Sequence, residues 1–168
     1  MAGSQIKSYQ MGIDNGAGKD GKNAATIQSK DKKINGFGTL MQNCKPDQYR
    51  GKRIKMTGWM KTKDVKNWAG FWLRIDKPES NVPFAMDNMG KRPIKGTNDW
   101  TQYEIVLDVP EKTSNLAYGA LLDGTGKIWI DDITFEIVDE TVPTTFPSNP
   151  ELEIKKLASP ANLSFEES

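Results

Sequence analysis

The chain has 168 residues, with 23 basic and 22 acidic side chains and a formal charge of +1, which predicts one domain with a short appendage. It holds no histidine and a single cysteine. That excludes Ser-His-Asp and Cys-His catalysis, His-ligated metals, internal disulfides and Cys-rich zinc sites.

The N-terminus, MAGSQIKSYQMGID, lacks an apolar signal region, and no stretch approaches the ~20 apolar residues of a membrane span. A cytoplasmic protein is the expectation. Gly16, Gly18 and Gly21 spell G-x-G-x-x-G, but Asn23–Ser29 reads as a strand where a dinucleotide site needs a helix. A hairpin turn is expected there, and DGTGK at 123–127 likewise reads as a tight turn.

From about residue 24 to 138, apolar and polar residues alternate with period two. Segment 53–61 puts Ile54, Met56, Gly58 and Met60 on one face, with Trp59 on the other. Segment 68–76 puts Ala69, Phe71, Leu73 and Ile75 against Trp68, Trp72, Arg74 and Asp76. Segments 101–109, 115–122 and 127–138 are strand-like too, and Gly/Pro/Asn/Asp turns separate them. An all-β fold, an antiparallel β-sandwich, follows.

In the last strand, Ile128 and Ile130 share one parity and Ile133, Phe135 and Ile137 the other. A β-bulge at Asp131-Asp132 would return both sets to the core. Four of the nine prolines lie within 143–160. The sandwich is therefore assigned to residues 1–139, and 140–168 to a Pro-rich linker and C-terminal segment.

Residues 1–95 carry 19 Lys/Arg against 8 Asp/Glu, and residues 96–168 carry 4 against 14. One reading is a nucleic-acid surface of Lys52, Arg53, Lys55, Lys61, Lys63 and Lys66. The other is that strands from both halves interleave and neutralise each other. The second is favoured, because nucleic-acid domains carry a net basic surplus and no helix-turn-helix pattern is present. No direct nucleic-acid partner and no membrane partner are expected.

The segments GFGTLMQ (36–42), YRGKRIKMTGWMKT (49–62), AGFWLRID (69–76), FAMDNMGKRPIKGTNDWTQYEIVLDVP (84–110) and GALLDGTGKIWIDDITFEIVD (119–139) carry a family likeness. Over about residues 6–139 the chain resembles the galactose-binding-like jelly rolls that include many carbohydrate-binding modules. Relatives of this kind sit as accessory domains beside hydrolases or peptidases, and some are labelled transcriptional regulators. The resemblance implies a jelly-roll β-sandwich and a binding role. In such domains an N-x-x-F-E segment forms the first strand, and Asn162–Glu166 supplies that pattern at the far end here. Those residues would return to their own sheet, insert into a neighbour as a strand-swapped homodimer, or begin a further domain.

Trp59 and Trp72 lie on the strand faces opposite the expected core, with Arg74 two residues on. Sugar rings stack on aromatic planes, while guanidinium and carboxylate groups bind hydroxyls. Gln42, Asp87, Asn88, Arg92 and Glu104 would complete such a site. The competing reading makes both tryptophans second-core residues under a loop or partner chain. Carboxylate pairing of Glu104 with Asp87 or Asp108 could imitate a glycosidase, but nothing fixes the spacing that chemistry needs. A non-enzyme is expected.

Asp131 and Asp132 are the metal candidates. The resemblance implies a structural calcium there, while the simpler role is bulge formation alone. The expected function is therefore a non-catalytic module for carbohydrate or a small polar ligand, with no other cofactor. The alternative is a regulatory or protein-interaction module in transcription control.

Overall fold

The computed structural model describes residues 6–145. Alternating sequence becomes eight strands: β1 (Tyr9–Asp14), β2 (Ala24–Ser29), β3 (Phe37–Cys44), β4 (Lys52–Asp76), β5 (Ala85–Asp87), β6 (Ile94–Val109), β7 (Asn115–Asp123) and β8 (Lys127–Val138). The helical elements among the described residues are two 3-10 turns, Ile6–Ser8 and Asp47–Tyr49. Every strand pairing is antiparallel. Gly16 and Gly21, both at positive φ, lie in the β1–β2 hairpin connection, where the G-x-G-x-x-G run was expected to form a turn.

β4 is one strand of 25 residues, not the two that 53–61 and 68–76 predict. Its first half pairs with β8 and β6, and its second half with β7 and β5. Layer one therefore reads β1-β2-β8-β4-β6, and layer two β3-β7-β4-β5. Between the halves the register against β6 shifts at Met60/Thr62, Thr62/Val65 and Val65/Ala69. Asp64 there has φ 53°. The buried positions change parity across this bend, from Ile54, Met56 and Met60 to Val65, Ala69, Phe71, Leu73 and Ile75. Both halves thus turn their apolar side chains into one core.

The expected bulge is present. Thr57 pairs with Thr134 but Trp59 with Asp131, so β8 spends one more residue than β4 in that interval. Asp132 takes φ 50° to do so. Ile128 and Ile130 are buried in the core, and Ile133 and Phe135 pack against it, but Ile137 is exposed, so the bulge returns only part of the second set.

Past β8 the chain stays on the sandwich. Arg53 donates to the carbonyls of Glu140 (2.7 Å) and Val142 (2.8 Å), and Thr145 N–H donates to Val106 O at 2.9 Å. Residues 140–145 thus lie on layer one and reach β6. The expected returning or swapped strand at 162–166 lies outside the described residues.

Where the layers meet, Gly58 faces Phe71, and a Cβ at residue 58 would sit 2.7 Å from that ring. Phe71 is only 1% exposed, so it has little room to withdraw. The prediction is that Gly58→Ala lowers stability by about 1–3 kcal/mol through overpacking. Chemical denaturation measures it. An unchanged midpoint would show that the layers tolerate wider separation at this point.

Candidate functional site

The outer face of layer two is formed by every second residue of β3, β7 and β4. Trp72 pairs with Gly119, which pairs with Met41, and Arg74 pairs with Ala117, which pairs with Asn43. Trp72 is fully buried in a second cluster with Phe37, Met86, Ala117 and Leu121. Its indole N–H donates to Thr39 Oγ1 at 2.8 Å, and that hydroxyl donates to Ala120 O at 2.7 Å. A side chain at Gly119 would overlap the Leu40 carbonyl and crowd Trp72 Nε1. The expectation of an exposed, sugar-stacking Trp72 is therefore corrected. The ring is a structural member of a small second core.

Arg74 lies beside it with its side chain 16% exposed. Nε donates to Asp76 Oδ1 at 2.6 Å, and Nη2 reaches Asp76 Oδ2 at 3.4 Å. Asn115 Nδ2 lies 3.0 Å from the same Asp76 Oδ2 and 2.9 Å from Asn43 Oδ1. The result is a row of guanidinium, carboxylate and two amides across three strands. Arg74 Nη1 is buried and has no hydrogen-bond partner. Leaving such a donor unpaired costs on the order of 1–3 kcal/mol. Asp76 was on the expected face, but Asn43 and Asn115 were missed, because only cross-strand register brings them to Arg74.

Trp59 sits on the outer face of layer one, so it and Trp72 point away from the core on opposite sides. They cannot share a ligand. Trp59 is half-buried, with Lys19 Nζ 4.8 Å from its ring centre. On the same face Trp129 lies near Lys127 (4.6 Å) and Lys61 (5.3 Å). Trp129 Nε1 (2.8 Å) and Lys127 Nζ (3.0 Å) both donate to Asp14 Oδ2. Those bonds, Lys127 first, hold the Asp14 carboxyl below the usual aspartate range.

The other expected site residues scatter. Gln42 is exposed on the opposite face of β3 from Met41, and accepts a hydrogen bond from the Tyr118 hydroxyl at 2.7 Å. Asp87 and Asn88 are buried and cap the turn after β5, accepting from Met89 N (2.8 Å) and Gly90 N (2.9 Å). Arg92 pairs with Asp87 at 2.9 Å. Glu104, on the outer face of layer one, pairs with Lys55 at 3.7 Å. Asp87, Asn88 and Arg92 form one loop-shaping group, separate from Arg74.

Asp131 Oδ1 accepts from Asp132 N at 2.8 Å and Oδ2 from Lys19 N at 3.1 Å. The Asp132 carboxylate lies 3.3 Å from Lys19 Nζ. Calcium wants six to eight oxygens. Here an ammonium already supplies the positive charge, and among the described residues no three metal-ligating side chains cluster. The pair fits a bulge clasped by the β1–β2 loop better than a calcium cage.

Two predictions follow from these placements. Trp72→Ala is expected to cost about 3–5 kcal/mol of stability, as for any large buried aromatic; a melting temperature close to wild type would contradict the second core. Asp14, with its folded pKa depressed, contributes stability above the ordinary aspartate pKa of ~3.9 and loses it as pH falls through the folded value. A carboxyl titration followed by NMR should show a midpoint below ~3.9 with the Trp129 indole proton shifting in the same step. A midpoint at or above the ordinary value would refute the triad.

No family model matches the chain. It is 42% identical over 168 residues to a Bacillus subtilis (strain 168) protein named "Uncharacterized HTH-type transcriptional regulator YbfP", covering 99% of this chain and 56% of that one. The chain thus spans about half the length of that curated relative. Among solved structures it is similar to a family 16 carbohydrate-binding module, with TM-score 0.57 and 14% identity over 76% of this chain and 86% of that one. It is also similar to the CBM22-1 xylan-binding domain of Paenibacillus barcinonensis Xyn10C, with TM-score 0.55 and 10% identity over 82% and 86%. A third, TmCBM61 in complex with β-1,4-galactotriose, gives 0.51 and 12% over 81% and 87%. No helix among the described residues is long and apolar enough to cross a membrane. The chain has the antiparallel β-sandwich fold of carbohydrate-binding modules.

Proposed function

We propose that this domain is a non-catalytic binding module that takes a carbohydrate, or another small polar ligand, on the outer face of layer two. The observation that carries this reading is the polar row of Arg74, Asp76, Asn115 and Asn43 across one outer sheet face. Ligand hydroxyl or carboxylate oxygens would accept from the part of the Arg74 guanidinium that meets solvent, the side chain being 16% exposed. Asp76 would accept from a hydroxyl, and the Asn43 and Asn115 amides both donate and accept. Met41, half-buried on the same face, adds apolar surface for a ring. The ligands of two fold neighbours, xylan and β-1,4-galactotriose, support the carbohydrate class.

The carboxylates that could imitate a glycosidase pair are each held by a base. Asp87 pairs with Arg92, Glu104 with Lys55, and Asp108 with Arg53 at 2.7 Å. That arrangement favours binding over hydrolysis. The name of the curated relative supports a second reading, in which the module serves transcription control within a longer protein. The two readings join if ligand binding here is the sensed event.

A glycan array followed by calorimetry tests the first reading. Arg74→Ala is expected to weaken the selected glycan by roughly ten- to a hundredfold, the worth of a hydrogen bond to a charged group. Arg74→Lys should recover part of that loss, with thermal melts confirming that both variants fold. Absence of any glycan binding, or equal binding by Arg74→Ala, would overturn the site. A reporter driven by a longer protein carrying this segment, unresponsive to the glycan that binds, would remove the sensing role.

A further inference from the structure

A cleft of about 510 Å³ opens where the bend of β4 passes the turn between β7 and β8. A second hollow of about 420 Å³ shares Lys32, Lys66 and Thr125 with it. Three distant segments supply the lining. Lys32 and Lys33 come from the β2–β3 connection, Lys63 and Lys66 from the bend, and Lys127 from the start of β8. The acids present are Asp31 and Asp64. Lys127 is paired with Asp14, but Lys32, Lys33, Lys63 and Lys66 make no ion pair among the described residues. Lys32, Lys63 and Lys66 line the larger cleft and Lys32, Lys33 and Lys66 the second, so like charges gather at this end of the sandwich and repel one another. A bound anion would turn that repulsion into attraction.

We infer that this cleft is an anion site, separate from Arg74, for a sugar bearing a phosphate or carboxylate group. The sugar class rests on the binding-module reading above; the anionic group rests on the lysines alone. The wall beside Lys127 is the half-buried indole of Trp129, which gives a ring a flat apolar surface. Gln28, Ser29 and Thr125 line the same space with groups that bond hydroxyls. The volume is that of a small-ligand pocket. A nucleic acid is a poorer occupant. It needs a track of cations, whereas beyond the cleft Arg53 and Lys55 are neutralised by Asp108, Glu104 and Glu136. The sequence pI of about 7.7 is also well under the basic range typical of such domains.

The test titrates the chain, by calorimetry and Trp fluorescence, with glucose, glucose 6-phosphate, galacturonic acid, inorganic phosphate and a ten-residue oligothymidine. At least one anionic sugar is expected to bind, with glucose itself failing and affinity falling as salt rises. The double variant Lys63→Ala/Lys66→Ala should weaken that sugar by roughly tenfold or more, while Lys52→Ala, exposed at the far end of β4, leaves it unchanged. Both lysines are exposed, so the variant is expected to fold as wild type does. Phosphate or galacturonate selectivity would then identify the anionic group. Inorganic phosphate binding as tightly as the sugar phosphate would reduce the cleft to an adventitious ion site and overturn the proposal. So would oligothymidine binding more tightly than either sugar, no binding of either sugar, or a loss on Lys52→Ala equal to that of the double variant. Failure of the Arg74 site on the glycan array leaves these arms readable, since they use other residues and another ligand charge.

Discussion

The structure depends on one backbone constraint, the sharing of β4 by both layers. A strand of 25 residues that hydrogen-bonds β8 and β6 along one half and β7 and β5 along the other ties the two sheets covalently. Each layer's apolar face must then meet the other's, because the bend between them is only a few residues long. The contact of Gly58 with Phe71 is the tightest expression of this. Gly58 belongs to the first half of β4 and Phe71 to the second, so the strand packs against itself across the core. Any side chain at 58 pushes apart two layers that the chain between them cannot let separate.

The same bend decides how the two outer faces differ. Layer one is a surface of matched charges, with Arg53 on Asp108, Lys55 on Glu104 and Glu136, Lys127 on Asp14, and Lys19 on Asp20 and Asp132. Such exposed pairs contribute little to stability, but they leave few groups wanting a partner. Layer two is different. Its tryptophan is sunk into a second core, and its arginine has one satisfied edge and one buried, unpaired nitrogen. An unmet buried donor of this kind is uncommon in folded proteins.

Much of the fold was legible because period-two alternation reports burial directly. The bulge is the clearest case: the parity break between Ile130 and Ile133 appears as the extra residue opposite Thr57–Trp59. Parity also placed Trp59 and Trp72 off the main core. It could not say that they belong to different layers, because alternation along a strand carries no information about which sheet the strand has joined. That is why a site built on both tryptophans does not form. Gln42 failed for a related reason, since the register that pairs it with Tyr118 puts it on the other face of β3 from Met41. Asp87, Asn88 and Arg92 looked like ligand groups because loops rich in Asp and Asn often are. In the fold, the Asp87 and Asn88 side chains instead accept from the backbone of a tight turn, and Arg92 pairs with Asp87. The continuity of β4 through 62–67 was hidden by its polar residues, and of that stretch only Thr62 and Val65 are buried.

The lopsided charge of the two halves finds its explanation in the same topology. Basic β4 lies between acidic β6 and β8, so the surplus of the first half is met by the deficit of the second wherever these strands pair. Most of their carboxylates sit on one stretch of sheet, Glu104 and Asp108 on β6 and Asp131, Asp132 and Glu136 on β8, with Asp99 of β6 nearer the bend. At the bend the match runs out. There β4 faces Ile94, Gly96 and Asn98 of β6, which carry no charge, and β8 begins with Lys127. The β2–β3 connection brings Lys32 and Lys33 to the same place. The chain is nearly neutral as a whole because its strands interleave, and locally basic at the one position where that interleaving meets uncharged partners. A near-zero net charge therefore conceals a concentrated cationic hollow, and the position of that hollow follows from where β4 changes layer.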